Sequence, residues 1–327
     1  MTVYLVTGAA GFIGSAIARA LLERGEHVRA IDNLCTGSIK NLDGVLDQID
    51  FRNVDLNDRT SLSAACSGIE CILHQAAIPS VPKSVADPLT SHIANIDGTL
   101  NMLLAARDAG VRRIIYASSS SAYGNTPILP KHEDLCPSPV SPYAVQKLTG
   151  ELYMAAFFRV YGLETVSLRY FNVFGPRQNA NSQYAGVLAK FITSMLRGKT
   201  PTIFGDGEQS RDYTYVDNVV HANLLAAKAP PIAVAGRVFN IAAGERFTLN
   251  QAFVSLKALT GFNGAPHYGE SRVGDVLHSL ADISAARQAF GYDPTVDFKE
   301  GLRRTVDWYR SQMSVAGELA ESVSTPQ

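Results

Sequence analysis

The sequence predicts an α/β fold, a parallel sheet flanked by helices with a smaller C-terminal substrate-binding lobe. Three observations predict it. Short apolar runs alternate with helix-patterned segments, the signature of a parallel sheet. A glycine-rich turn follows the first run and opens at once into a helix. After about residue 170 the elements shorten and fill with Gly, Arg and aromatic residues, as in Phe204-Gly-Asp-Gly207.

Val3-Tyr-Leu-Val6 fits a buried strand, and Gly8-Ala-Ala-Gly11-Phe12-Ile13-Gly14 leads into the helical Ser15-Ala-Ile-Ala-Arg-Ala-Leu-Leu-Glu23. Glycines here permit a tight turn and close approach of backbone to a pyrophosphate, and the N–H groups of the helix start bind that anion. Val28-Arg-Ala-Ile31 reads as a second strand ending in Asp32. An acid about twenty residues beyond the turn accepts from the adenosine ribose 2′-OH and repels a 2′-phosphate. The following Asn33-Leu-Cys-Thr-Gly37 has no arginine to reverse this. The expected unit is a Rossmann-type domain that binds NAD rather than NADP; a glycine turn that holds nothing would not need Asp32.

Phe51-Arg-Asn-Val54 ending in Asp55, Cys71-Ile-Leu-His74, Arg113-Ile-Ile-Tyr-Ala117 and Thr165-Val-Ser-Leu-Arg169 are the further strands. The clearest helix runs from Asn95 to Arg107, with Gly110 as its stop. Tyr213-Thr-Tyr-Val216, a helix through Lys228 and Val238-Phe-Asn-Ile241 return to the first lobe. Residues 1–172 and 213–241 are therefore assigned to the NAD-binding domain, and 173–212 and 242–312 to the substrate lobe. The small polar residues from Ser314 onward, within 313–327, read as a frayed, flexible tail.

At 327 residues and 46% hydrophobic content the chain can bury a large core. A net charge of −1 argues against nucleic acid as a partner. The four cysteines, Cys35, Cys66, Cys71 and Cys136, show no metal-ligand spacing, so no metal is expected. No apolar run approaches the roughly eighteen residues of a membrane span. A cytoplasmic protein with free thiols and no membrane partner is expected.

Ser141-Pro-Tyr143-Ala-Val-Gln-Lys147 places a phenol and an ammonium four residues apart, on one helix face. A nearby cation favours the phenolate of a tyrosine whose free pKa is about 10, bringing a base towards neutral pH. Such a pair also describes a solvated helix face. The dinucleotide turn and the hydroxyl run Ser118-Ser-Ser-Ser121 instead point to hydride transfer.

With these parts in order, the chain resembles the extended short-chain dehydrogenase/reductase family, and within it the nucleotide-sugar 4-epimerases of the UDP-galactose type. The resemblance spans residues 3 to about 310. It rests on the Gly8-Gly11-Gly14 turn, His74-Gln-Ala-Ala77, Ser118-Ser-Ser-Ser-Ala-Tyr-Gly124, Tyr143-x-x-x-Lys147, Arg169-Tyr-Phe-Asn172 and Gly205-Asp-Gly-Glu-Gln-Ser-Arg-Asp212. It implies that Asp55 and Leu56 flank the adenine and that Ala76 and Ala77 lie along the pyrophosphate. Lys147 would also hold the nicotinamide ribose, and Asn33, Gln75, Asn95 and Tyr170 complete the cofactor site.

The family's catalytic hydroxyl lies four residues before a Tyr-Gly pair, and Tyr123-Gly124 puts Ser119 there, with Ser118 and Ser120 as packing or loop hydroxyls. The 4,6-dehydratases of the family carry Asp-Glu directly after that hydroxyl, where this chain has Ser120-Ser121. Without that acid–base pair the reaction should stop at oxidation and reduction of C4. Tyr143 would take the 4-OH proton, directly or through Ser119, while hydride leaves C4. Return of hydride to the other face of a rotated 4-keto sugar inverts the centre.

By the same resemblance Arg211 and Arg272 contact the substrate pyrophosphate, where guanidinium forks suit it. Asn172 contacts the diphosphate or sugar, Asp275 the ribose, and Phe204 or Ile203 the uracil. Lys83, Ser84, Ser120, Gln178 and Val187 are sugar-side candidates. Ser279 would lie beside the hexose, where a small residue leaves room for a 2-acetamido group. Gly186 adds room, and Arg177-Gln178 with Gln183-Tyr184 is similar to the N-acetylhexosamine branch. UDP-N-acetylglucosamine and UDP-N-acetylgalactosamine are thus the expected pair, with UDP-glucose and UDP-galactose also accepted. Pro79 departs from the glycine that branch often has, and its ring could reshape the sugar pocket.

A UDP-glucuronate-modifying enzyme, a reductase that releases its cofactor and a non-catalytic NAD-binding scaffold are the other readings. The resemblance also implies a homodimer through helices within 91–109 and 142–160. Met154-Ala-Ala-Phe-Phe158 would offer the apolar face, unless that face packs on its own sheet.

Overall fold

The computed structural model describes residues 2–180, 186–270 and 277–323, with side chains of the last helix described through Ser314. Seven strands form one parallel sheet in the order Arg237–Ile241, Glu164–Tyr170, Arg113–Ser119, Cys71–His74, Val3–Thr7, His27–Asp32, Asp50–Asn53. This is the α/β Rossmann-type sheet that the sequence predicts. Helices cover both faces, so the inner strands read as continuous apolar runs. Strand order reverses between Val3–Thr7 and Cys71–His74, which opens a crevice at the carboxyl ends of the strands.

The helix Pro142–Tyr161 carries Tyr143 and Lys147. It starts on Ser141, whose hydroxyl accepts from Ala144 N, and stops at Gly162, whose φ of 71° suits a residue without Cβ. Within it Met154 and Phe157 are buried in the chain's own core, so this pair does not form the exposed apolar face that the sequence suggests. The large exposed apolar side chains of this helix are instead Val145, Leu152, Val160 and Tyr161, and Leu89 is exposed on the adjoining helix Pro88–His92.

Asn95 does not begin an ordinary helix. It lies in a π-helical turn, Ile93–Asp97, that runs into the α-helix Gly98–Asp108. Apolar spacing cannot register the widened turn, which recurs at functional sites. A Cβ on Gly98 would stand 3.1 Å from that of Leu56, so a glycine lets this helix close on the Leu56 loop.

Buried Arg113 ties the sheet to the helix Val216–Lys228. Its Nη1 donates to the carbonyls of Ala226, Ala227 and Ala229, and its Nε to Glu164 at 2.7 Å. A cation at a helix C-terminus satisfies the carbonyls left over by the helix.

The remaining strands are short. Thr202–Phe204 pairs in parallel with His267–Gly269, and Ser210–Arg211 antiparallel with Phe247–Thr248. Phe174, Tyr213, Tyr215 and Phe298 pack together, and a Cβ on Gly301 would meet Phe174 at 2.8 Å. The last helix, Phe298–Val323, continues past Ser314, where the sequence reads as a frayed tail; Ala, Glu and Leu there favour helix. No helix among the described residues is long and apolar enough to cross a membrane.

Candidate active site

The glycine turn sits at the strand reversal. Gly8 adopts φ +64°, and a Cβ on it would lie 2.8 Å from the backbone of Ala76. A Cβ on Gly14 would lie 2.1 Å from the Gly8 carbonyl oxygen. The first glycine makes the turn and the last lets the helix Phe12–Glu23 close on it, the geometry that leaves N–H groups facing a pyrophosphate.

Asp32 ends its strand under this turn and accepts from Ala10 N at 2.9 Å and Leu34 N at 2.7 Å. Burial pushes its carboxyl up, and those two N–H groups oppose the shift. Asn33 Nδ2 donates to Asp55 at 2.8 Å, joining two of the expected cofactor positions to each other. These residues fit a dinucleotide: a cradle that a Cβ would fill, and a carboxylate at its rim.

Behind the cradle, Thr7 Oγ1 accepts from Gln75 N and Ala76 N, both at 3.1 Å, and lies 2.8 Å from His74 Nδ1. The other ring nitrogen is 3.2 Å from Thr99 Oγ1, which itself donates to Asn95 O at 2.7 Å. Because Thr99 gives its proton to Asn95, His74 donates through Nε2 and accepts from Thr7 through Nδ1. Burial pushes this imidazole down to about 3, so it is a neutral strut. Gln75, Asn223 and Tyr170 close a ring of hydrogen bonds on the same side.

Ser119, Tyr143 and Lys147 are brought together. Ser119 ends the strand Arg113–Ser119 and hydrogen-bonds the Tyr143 phenol; its Oγ also accepts from Ser121 N and Ser121 Oγ. Lys147 Nζ donates to Ala117 O at 2.8 Å and stands 6.0 Å from the centre of the Tyr143 ring. Gly150 makes room for this arrangement, since a Cβ there would meet the buried Tyr116 hydroxyl at 2.2 Å. The Tyr-Gly landmark is also structural: Tyr123 is buried on Asn240, and Gly124 has no room for a Cβ beside Ser138 O.

The electrostatics differ from the sequence expectation. Burial pushes the Tyr143 phenol up to about 12, opposed by its hydrogen bond to Ser119, rather than down under the Lys147 field. Burial likewise pushes Lys147 down to about 8, against the pull of Glu151. The ammonium is spent on a carbonyl instead of on the phenol, and desolvation of both groups wins.

Two expected contact residues also hold the scaffold. Ser84 is 0% exposed; its hydroxyl donates to Val81 O and accepts from Tyr143 N, so it caps the helix Pro142–Tyr161. Asn95 is fully engaged as well. It accepts from Ile78 N and donates to Ile78 O and to Gln146, fixing the loop after Ala77 to the helix that carries Tyr143 and Lys147. Lys83 is on the same short helix as Ser84, and Pro79 is exposed just before it.

A cavity of about 260 Å³ joins Asn172, Gln178, Gly186, Val187, Phe204 and Arg211. Ser119, Tyr143 and Lys147 do not line it; its Asn172 lies two residues beyond Tyr170, whose partner across the sheet is Ser119. Asn172 takes φ +34°, a conformation asparagine tolerates, and donates to Asp212 O at 2.9 Å and Ser279 Oγ at 3.1 Å. Of the two uracil-side alternatives, Phe204 lines the cavity and is 36% exposed, whereas Ile203 is 0% exposed in the core. Ser279 is 6% exposed behind Asn172, with its hydroxyl engaged. Arg272 and Asp275, and the Gln183-Tyr184 pair, lie outside the described residues.

Sequence reasoning missed Asp212. It is fully buried, accepts from the N–H groups of Ala243, Gly244 and Ala281, and burial pushes it up to about 7. The Ser-Arg-Asp run pointed to it, but only its arginine was read. Among the described residues no group of three or more His, Cys, Asp or Glu could hold a metal ion.

A glycine cradle at the strand reversal, with a Ser-Tyr-Lys group in which the lysine is buried and the two hydroxyls are half-buried, defines a short-chain dehydrogenase-type site. Residues 4–242 match the model of the NAD dependent epimerase/dehydratase family, and the chain belongs to that family and uses NAD. Among solved structures it is similar to UDP-glucose 4-epimerase from Thermotoga maritima with UDP-glucose: 40% identity, TM-score 0.91, covering 95% of this chain and 100% of that one. UDP-N-acetylglucosamine 4-epimerase from Methanobrevibacter ruminantium M1, in complex with UDP-N-acetylmuramic acid, is 41% identical with a TM-score of 0.91, covering 95% and 99%. UDP-glucuronic acid 4-epimerase from Bacillus cereus, in complex with UDP-glucuronic acid and NAD, is 33% identical with a TM-score of 0.88, covering 95% and 100%.

Proposed function

We propose that the protein inverts C4 of a UDP-hexose, with UDP-N-acetylglucosamine and UDP-N-acetylgalactosamine as the preferred pair and UDP-glucose and UDP-galactose as further substrates. The observation that carries the reading is the cavity leading from Asn172, two residues beyond the strand that pairs with Ser119, to Arg211 and Phe204. Arg211 supplies a cation for a diphosphate and Phe204 an apolar face for a base. Gly186 favours the acetamido sugars. A Cβ there would stand 3.2 Å from Gln178 Nε2, so the glycine leaves space next to a side-chain amide.

NAD, when bound, accepts the C4 hydride and gives it back. Tyr143 acts as the phenolate, which Lys147 stabilises; it takes the 4-OH proton, directly or through Ser119, becomes the phenol as hydride leaves C4, and returns the proton when hydride comes back. Gripping the nucleotide while holding the hexose loosely lets the ring turn over between the two half-reactions. NAD binding is assigned to residues 1–172 and 213–241, and the nucleotide sugar to 173–212 and 242–312. We place the protein in the cytoplasm, its four cysteines being free thiols. A homodimer would bury Val145, Leu152, Val160 and Leu89; light scattering checks it, a particle of one chain's mass being the opposing result.

UDP-glucuronate is the second reading, favoured by the likeness to the Bacillus cereus enzyme. It needs a partner for the C6 carboxylate. Values of kcat/KM for the three sugar types decide: the highest is expected with UDP-N-acetylglucosamine, and a strong preference for UDP-glucose or UDP-glucuronate overturns the choice of sugar.

A further inference from the structure

Tyr143, Lys147 and Glu151 follow one another at four-residue steps on one face of Pro142–Tyr161. The third member is as enclosed as the second. Glu151 and Arg169 side chains are each 4% exposed, and Arg169 grips the carboxylate through Nε at 2.8 Å and Nη2 at 2.7 Å. Ser118, next to the catalytic hydroxyl, donates to Glu151 Oε1 in a short hydrogen bond. One carboxylate therefore touches the serine strand, the neighbouring strand Glu164–Tyr170 and the turn of helix below Lys147.

We propose that Glu151 is a positioning residue for the reaction: its carboxylate holds Lys147 in the ammonium form and fixes the strand end that presents Ser119. The proposal rests on the Tyr143–Lys147 reading above. Among the described residues, the groups facing Lys147 leave it no other counter-charge. On its own helix stand Tyr143 and Glu151. From the strand Arg113–Ser119 come the Ala117 carbonyl and the Tyr116 ring, 5.0 Å away. From the strand Cys71–His74 comes His74, neutral and strutted between two threonines. Arg169 faces Glu151 from the other side, its guanidinium 4.5 Å from the Tyr123 ring.

The sign follows from burial. Desolvation already draws Lys147 down to about 8, and the charge of Glu151 opposes it. Removal of that charge lowers the lysine further, so the ammonium is lost at a lower pH.

The test is a titration of Lys147 itself in the protein as purified, by NMR of lysine labelled at Cε, its signal identified by its loss in Lys147→Met. In Glu151→Gln the midpoint is expected to fall by about one pH unit or more, the usual size for loss of a nearby opposite charge. Glu151→Asp should restore most of it, and the alkaline limb of kcat with the best UDP-sugar should move with the midpoint. An unchanged midpoint in folded Glu151→Gln overturns the proposal, because a glutamate that only pairs with Arg169 would leave Lys147 as it was. Stranding the buried guanidinium could prevent that variant from folding. Glu151→Gln/Arg169→Met removes both charges, and the same fall or its absence is then read. Since the titration needs no substrate, it stands apart from failure of the epimerase reading.

Discussion

Tyr143→Phe should lower kcat by roughly a hundred- to ten-thousand-fold, the usual share of a positioned acid–base group. The change deletes one oxygen from a helix that is fixed by other means. Ser84 holds the backbone N–H of residue 143 at 3.0 Å, Ser141 caps the helix and Asn95 anchors neighbouring Gln146. None of these contacts uses the phenol, so the melting temperature and bound NAD should match the parent protein. Among the described residues the phenol meets the Ser119 hydroxyl, in a setting where burial holds its proton up to about 12. Turnover of UDP-sugar with the variant checks this. Activity near that of the parent would remove Tyr143 from the chemistry and leave Ser119 to be tested as base.

Gly14→Ala should abolish retention of NAD. The new methyl would sit 2.1 Å from the Gly8 carbonyl oxygen and 2.8 Å from its carbon, both backbone atoms that cannot swing aside. Gly8 cannot retreat either, because its own position against Ala76 already excludes a Cβ. The helix Phe12–Glu23 must back away, shifting Ala10 off Asp32 and the helix-start N–H groups off the pyrophosphate. Overpacking of this kind costs about 1–3 kcal/mol, which a chain of this size can survive folded. Absorbance of nucleotide released on denaturation reads the effect, and a full complement of NAD in the variant would contradict this account of the turn.

The sheet was legible because its inner strands are buried on both faces, so Cys71–His74 and Arg113–Ser119 appear as apolar runs with polar residues only at their ends. The glycine turn and Asp32 were legible because their chemistry fixes residue type as well as spacing. What escaped depends on contacts between distant segments. Nothing near Ser84 says that its hydroxyl meets Tyr143 N, 59 residues on. Asn95 carries no mark of the π-helical turn that aims it at Ile78 and Gln146. Met154 and Phe157 share the apolar character of Leu152, and only packing tells which are covered. Glu151 could have been found, since it repeats the step from Tyr143 to Lys147 once more. The direction of the Tyr143 shift could not, because a sequence shows charges but not their desolvation.

Incubation of the purified protein with UDP-N-acetylglucosamine carrying deuterium at C4, with no NAD added, tests the central claim most directly. The account predicts UDP-N-acetylgalactosamine that keeps its C4 deuterium, with no nucleotide cofactor consumed. A product that has lost the label to solvent, or turnover only on addition of free NADH, would contradict it.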